Sequence, residues 1–189
     1  MLKKGYNQNQ LNKMHKNGYY NHLCSDEFYE IYNFISKKII DTKLKSVLDV
    51  GCWNGMFLNA LEENGYNKKY LGFDLSSSAI DEAIKKYKNK NFKFITNSWN
   101  NISILEKYDA IYFGGVFYYI DDKENFLNSY IKQCKPKIIF IQDLQNTNLN
   151  FLNTNLNLKY LETFYFEINI DKNEARKKRQ IKIFYVKDE

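Results

Sequence analysis

Short apolar runs that end at glycine or a polar turn alternate along this chain with segments whose apolar residues recur every three or four positions. That alternation predicts strand–helix–strand units. A strand covered on both faces reads as one apolar run, whereas a helix packed on a sheet buries a single stripe. The stripe Phe28, Ile31, Ile35, Ile39 predicts a helix over Ser25 to Ile40. Ser25 can cap it, and Asp26 and Glu27 suit its first turn. Val47, Leu48 and Val50 predict a strand, and Phe57, Leu58 and Leu61 a helix closed by Gly65. Lys69 to Asp74 is the next strand, and Ser76 opens a helix with Ile80, Ala83, Ile84 and Tyr87 inward. Asn91 to Thr96, Tyr108 to Gly115 and Lys137 to Gln142 read as further strands. A helix over Asp121 to Lys135, capped by Asp121 with Glu124 in a capping-box-like place, precedes the last of these and ends at Pro136. The period then changes. Lys159 to Ile170 and Gln180 to Lys187 alternate apolar and polar residues, the mark of an antiparallel pair. The Asn-rich tract from Gln145 to Asn157 carries Leu149, Leu152 and Leu156 at helical spacing and reads as a short irregular helix.

Chemistry enters at the first turn, Gly51-Cys52-Trp53-Asn54-Gly55, between the first central strand and its helix. Glycine adopts backbone angles closed to other residues and lets a ligand approach the amides. The following helix points its positive end at the same place. Asp74 ends the next strand, 23 residues after Gly51. That is the spacing at which a carboxylate reaches a ribose hydroxyl pair. The pattern asks for an adenosine-like cofactor.

Asp49-Val50-Gly51-Cys52-Trp53-Asn54-Gly55 resembles the first motif of the class I S-adenosylmethionine-dependent methyltransferases: an acid, one residue, then G-x-G-x-G. Trp53 stands where the middle glycine would be. Asp74-Leu75-Ser76 followed by Ala79-Ile80 resembles the family's next motif. The resemblance implies an α/β fold, a Rossmann-like doubly wound sheet of seven strands, mostly parallel with a C-terminal antiparallel hairpin. It implies S-adenosylmethionine as cofactor, with Asp49 orienting the ligand ammonium. A negative charge there would repel pyrophosphate. Gly51 to Gly55 would wrap the donor, Asp74 would hold the ribose and Leu75 would line the adenosine end. Asn97 or Ser98 would accept from the adenine amino group, with Trp99 either stacked on the base or packed in the core. Gly114 and Gly115 fall at the sheet's switch point. Tyr118 and Tyr119 follow in the methyl-transfer zone, as groups that orient substrate or as packing. Asp143, after the fifth strand, is a substrate ligand or a helix cap.

Acid–base chemistry near neutrality has few carriers, since the chain holds two histidines, His15 and His22. Both lie in the polar, aromatic stretch 1–24, read either as a mobile arm or as a lid in which Tyr19 and Tyr20 meet substrate. Residues 25–189 read as one methyltransferase domain, a length sufficient for a core. No run of 18 apolar residues occurs and the first 22 residues lack a secretory h-region. Three scattered cysteines suit a reducing, cytoplasmic setting and neither disulfides nor a zinc site; no metal is expected. The net charge of +6 comes almost wholly from lysine, with only Arg176 and Arg179 as arginines. It is therefore discounted as a nucleic-acid signal. The run Arg176 to Arg179 reads as a solvated hairpin tip, with RNA docking as the alternative. No Asp/Asn-Pro-Pro-Tyr and no Pro-Cys pair is present. A small molecule, such as a sugar or glycan precursor, is the expected acceptor through oxygen or nitrogen. An RNA or protein methyltransferase and a non-catalytic cofactor-fold subunit are the rival classes.

Overall fold

The structure, a computed structural model, describes residues 6–101, 106–149, 152, 158–168 and 178–186, with the Tyr118 side chain outside the description. Strand β1 (Ser46–Val50) is central. It pairs in parallel with β2 (Lys69–Asp74) on one side and β4 (Ala110–Gly114) on the other. Strand β3 (Phe92–Thr96) lies outside β2, and β5 (Ile138–Leu144) outside β4, both parallel. Beyond β5 the direction reverses: β7 (Lys178–Val186) pairs antiparallel with β5, and β6 (Leu158–Glu167) with β7. The order β3-β2-β1-β4-β5-β7-β6 is the doubly wound seven-stranded sheet with a closing hairpin that the chain's patterning and its resemblance imply.

Among the described residues five α-helices accompany the sheet: α1 (Gln8–Lys16), α2 (Asp26–Asp41), α3 (Met56–Glu63), α4 (Ser77–Lys86) and α5 (Lys123–Cys134). Helices α2, α3 and α4 press their apolar stripes onto one face, where Phe28, Ile35, Leu58 and Ile80 join Val47, Tyr70 and Phe140. Helix α5 covers the other face with Phe126, Leu127 and Tyr130 against Leu48, Phe113 and Ile139. Burial from both sides is why the inner strands carry little polar surface. Among the described residues, no helix is long and apolar enough to cross a membrane.

Several local expectations change. Helix α5 is capped by Asp122, whose side chain accepts from the Asn125 amide, so Asp121 and Glu124 are not the capping pair. Ile84 is 47% exposed; α4 buries Ala79, Ile80 and Ala83 instead. Strand β5 runs two residues further, so Asp143 lies inside it. Strand β7 starts at Lys178 and takes in Arg179, placing that arginine in the sheet and not at a hairpin tip. Of the 145–157 tract, Leu149 and Leu152 are buried and most of the remainder lies outside the described residues, as do 171–177 with Arg176. The stretch 1–24 contains α1, started by a reciprocal pair. Asn7 accepts from the Gln10 amide at 3.0 Å and the Gln10 side chain accepts from the Asn7 amide at 2.9 Å.

Candidate active site

At the C-terminal ends of β1, β2 and β4 the chain encloses a cavity of about 370 Å³. Its floor is the turn after β1. Gly51 and Gly55 hold φ of +80° and +85°. A Cβ on Gly51 would come within 2.6 Å of Val116 Cγ1, so this backbone approach tolerates only glycine. The amides of Gly51 and Cys52 both donate to the Phe73 carbonyl, at 2.9 and 3.0 Å, which ties the turn to β2. Trp53 takes a left-handed φ of +48° where the motif has glycine. Its strain is held by two bonds: its amide donates to Asp74 Oδ2 at 3.1 Å and its indole Nε1 donates to His15 Nδ1 at 2.8 Å. Its ring thus packs under α1 and forms a wall of the cavity, which stays open.

Asp49 is completely buried on β1 and borders the cavity. The Tyr70 hydroxyl donates to its Oδ2 at 2.6 Å, while Oδ1 is buried with no hydrogen-bond partner. Burial pushes its carboxyl up to about 7. Asp74 borders the cavity as well, and its two oxygens accept from the Trp53 and Ser76 amides. Burial raises Asp74 too, against those bonds and the nearby His15. The orphaned Asp49 oxygen calls for a donor, and the paired Asp74 oxygens keep lone pairs for hydroxyls. The residues present therefore fit a cationic, ribose-bearing ligand.

Comparison with known proteins agrees with this geometry. A family model described as a methyltransferase domain matches residues 41–181. The chain belongs to this family, the class I S-adenosylmethionine-dependent methyltransferases. A malonyl-[acyl-carrier protein] O-methyltransferase of Calditerrivibrio nitroreducens is 22% identical over 162 residues, 73% of this chain and 63% of that protein. Curated relatives are matched over 32% to 63% of their own length. Magnesium protoporphyrin IX methyltransferase from Synechocystis PCC 6803, solved with S-adenosylmethionine, superposes with a TM-score of 0.74 at 14% identity, covering 95% of each chain. The N-methyltransferase NodS from Bradyrhizobium japonicum WM9, solved with S-adenosylhomocysteine, gives 0.69 at 16% identity over 86% of this chain and 87% of that one.

Most of the singled-out residues divide among three cavities. Asp49, Gly51, Cys52, Trp53, Asp74, Trp99, Gly114 and Gly115 border the main one, together with Tyr19, Tyr20, His22 and Tyr119. Leu75 and Ser98 border an adjoining cavity of about 500 Å³. Trp99 and Tyr119 line both and stand between them, their rings near-parallel with centroids 6.0 Å apart. His15 and Asn54 face a third, open pocket. There His15 Nε2 meets Glu82 at 3.0 Å and Asn54 donates to the same carboxylate at 2.7 Å. Gly55 serves as the N-cap of α3, backed by the Tyr87 ring. The Asn97 side chain is engaged with Asn101, at 2.8 and 3.2 Å. Asp143 is fully buried away from the cavities; its Oδ1 accepts from the Leu144 amide at 2.7 Å and the Thr147 hydroxyl at 3.0 Å. The two histidines therefore differ. Nδ1 of His15 accepts from an indole, so the proton sits on Nε2, toward Glu82. Nδ1 of His22 faces the Tyr19 carbonyl at 3.1 Å, so in the neutral ring Nε2 is the basic atom.

Sequence reasoning missed four contributors. Tyr70 holds Asp49 from below. Asn12 fastens α1, accepting from the Ser78 amide at 3.2 Å and the Ser76 hydroxyl at 3.0 Å. Gln142 and Arg179 line the cavity from β5 and β7. A signal for Arg179 was available: it lies two and four residues before Ile181 and Ile183, hence on their buried face. Among the described residues, no group of three or more His, Cys, Asp or Glu is gathered as a metal site.

Proposed function

We propose that this methyltransferase passes the methyl group of S-adenosylmethionine to an oxygen or nitrogen of a small organic molecule. The observation that carries this reading is Asp49, fully buried, with one oxygen taken by Tyr70 and the other unpartnered at the cavity wall. An amino-acid ammonium is the group that would meet it. Asp74 would take the ribose hydroxyls, and Gly51 leaves room for the donor against the backbone. When bound, S-adenosylmethionine supplies an electrophilic methyl on a sulfonium, which leaves alignment and exclusion of water to the protein. The α1 helix and the following turn close over the cavity and serve that exclusion. An acceptor hydroxyl or amine must also lose its proton, and His22, which borders the cavity with Nδ1 turned to the Tyr19 carbonyl, would take it. Tyr20, raised well above its usual range by burial and by Tyr119, keeps its proton and serves as a donor.

The size of the cavity suits a small ligand. Its aromatic walls suit a sugar ring, the finer expectation from sequence, and a planar aromatic acceptor alike. The named O-methyltransferase relatives favour oxygen over nitrogen as the acceptor atom. RNA docking loses one of its two arginines, since Arg179 is 7% exposed. The three cysteines are free thiols, which fits a cytoplasmic location. Calorimetric titration with S-adenosylhomocysteine tests the reading. Saturable one-to-one binding is expected, and no binding by the folded protein would overturn it.

A further inference from the structure

We infer that His15 is a proton-operated latch: the neutral imidazole holds the Trp53 wall of the cavity, and the charged imidazole lets it go while α1 stays docked. The inference concerns regulation of the site proposed above, and it rests on that reading only where it speaks of donor affinity. Both ring nitrogens are engaged. The Trp53 indole Nε1 lies 2.8 Å from His15 Nδ1, and Glu82 Oε2 lies 3.0 Å from Nε2. An indole nitrogen can only donate, so Nδ1 is bare and the proton sits on Nε2, toward the carboxylate. One tautomer of the neutral ring meets both partners at once. A charged ring carries a proton on each nitrogen and cannot.

The two partners therefore pull in opposite directions. Glu82 favours the charged ring, and its carboxylate is held in place for that pairing, since the Asn54 side chain donates to its other oxygen at 2.7 Å. Trp53 favours the neutral ring. The two rings are inclined at 76° with centroids 5.6 Å apart, and their nitrogens meet at the N–H edge of the indole, its positive side. In the charged state two N–H groups would face each other there. Charging the imidazole thus trades the Trp53 bond for a stronger pair with Glu82. Besides Glu82, the charged and titratable groups facing His15 among the described residues are Asp74 from the end of β2, Lys16 from α1 itself and Cys24 from the single turn at Asn21–Cys24. Lys86 of α4 is close enough to act on Cys24. The turn after β1 brings Trp53 and Asn54 to this place, and neither titrates.

Release has consequences because Trp53 sits at a left-handed φ of +48°, an angle that a residue with a side chain keeps only when its surroundings hold it. Two hydrogen bonds do so: the indole to His15, and the Trp53 amide to Asp74 Oδ2 at 3.1 Å. With the first gone, the backbone bond alone of the two remains, and it ends on the carboxylate read as the ribose ligand. Helix α1 keeps its hold on α4, through Asn12 on Ser76 and Ser78 and through the strengthened Glu82 pair. The latch is thus closed at neutral and alkaline pH, and it opens as pH falls through the range in which imidazoles take up a proton. Acidity loosens one wall and leaves the lid in place.

The full chain carries two tryptophans, so its nitrogen-15 spectrum holds two indole N–H signals, and Trp99→Phe leaves that of Trp53. Titrated from about pH 8 down to about pH 5, the Trp53 signal should move upfield in one step as its hydrogen bond is lost. Amide protection across 8–16 should stay within about twofold over the same range. His15→Phe should abolish the movement. Glu82→Gln should carry its midpoint down by about half a pH unit, because the charged ring loses its carboxylate. S-adenosylhomocysteine supplies the second readout. Wild type should bind it about threefold more tightly than His15→Phe at the alkaline end and about equally at the acid end. The Asp49 titration is common to both proteins and drops out of that ratio. Thermal melting reports whether each variant is folded; if His15→Phe is not, Glu82→Gln, which leaves the imidazole in place, carries the test. A Trp53 signal that does not move would overturn the inference, as would the same movement in His15→Phe. A midpoint unchanged in Glu82→Gln would take Glu82 out of the latch and overturn it too. Loss of protection across 8–16 in step with the signal would overturn it by making the event a release of the helix, and an affinity ratio constant with pH would overturn the regulation of the site. Should S-adenosylhomocysteine fail to bind while the Trp53 signal still depends on His15, the donor reading falls and the latch stands.

Discussion

The end of the cavity proposed for the donor, the donor end, is made of backbone and short side chains: glycines at left-handed angles, turn amides tied to β2, and two carboxylates at strand ends. The end left to the acceptor by that reading is made of long side chains brought from distant parts of the chain, namely His22 from the N-terminal turn, Phe28 from α2, Gln142 from β5 and Arg179 from β7. The first end is fixed by local geometry, since every group lies within a few residues of a strand end. The second depends on how α1, the turn after it and the β6–β7 hairpin dock. Changes at the donor end should therefore act sharply on one ligand. Changes at the lid should act weakly and spread.

The sharpest break is Gly51→Val. Its φ of +80° and the 2.6 Å approach of Val116 leave no room for a side chain. Loss of S-adenosylhomocysteine binding by about a hundredfold or more is expected in calorimetry, with a fold destabilised by about 1–3 kcal/mol. Wild-type affinity in a folded Gly51→Val protein would mean that the donor does not lie against this turn.

Asp49→Asn is next, and it separates binding from stability. The carboxyl titrates at about 7 in the folded protein against an ordinary 3.8. Stability drawn from the protonated form is whole below about pH 4 and is lost as pH rises to about 7. The unliganded Asn variant should thus be more stable than wild type by about 1 kcal/mol or more at mildly alkaline pH. It should bind S-adenosylhomocysteine about tenfold to a hundredfold more weakly, because it offers no charge to the ammonium. Wild-type affinity should rise as pH moves up through the Asp49 transition near 7. Melting curves and titrations across that range check both signs. A variant less stable than wild type would mean that the orphaned oxygen is satisfied in solution.

The same contrast explains what could be read from sequence. Asp49, Gly51 and Asp74 announced themselves because their chemistry is local: a strand, a turn and a fixed spacing suffice. Arg179 did not, because its role depends on where β7 begins. A start at Gln180 leaves it on a tip, whereas the observed start at Lys178 puts it on the buried face with Ile181. Gln142 looked like any strand residue until register set it beside Tyr112 and β7. Helix α1 escaped because it buries only Leu11, so no apolar stripe exists, and its sole local sign is the Asn7–Gln10 pair. Asp143 drew attention as a carboxylate at a strand edge, yet two further residues of β5 carry it into the sheet, where it ties down the next turn.

His15→Phe probes the junction of the two ends. It keeps a ring against Trp53 but removes the acceptor for the indole and the partner of Glu82. A loss of about 1 kcal/mol in stability is expected, with S-adenosylhomocysteine affinity down about threefold. A total loss of methyl transfer at unchanged donor affinity would instead make His15 the base, contrary to the engagement of both its nitrogens.

The smallest effect tests whether α1 is a separable lid. Asn12 sits at the N-terminus of α4, where its Oδ1 accepts from the Ser78 amide and the Ser76 hydroxyl while its amide donates to Ser77 at 3.0 Å. One side chain thus joins α1 to a helix end whose amides would otherwise turn to water. Asn12→Ala removes that joint and leaves Ser76 to cap α4 alone, through its bond to the Ala79 amide. The expected cost is about 0.5–1 kcal/mol. Its distribution is the informative part. If α1 docks as a unit, amide exchange should quicken across 8–16 and leave the β1 and β4 amides untouched, since these open only with the whole fold. Acceleration shared equally by the central strands would mean that α1 belongs to the cooperative core, and the contrast between a fixed donor end and a movable acceptor end would fail.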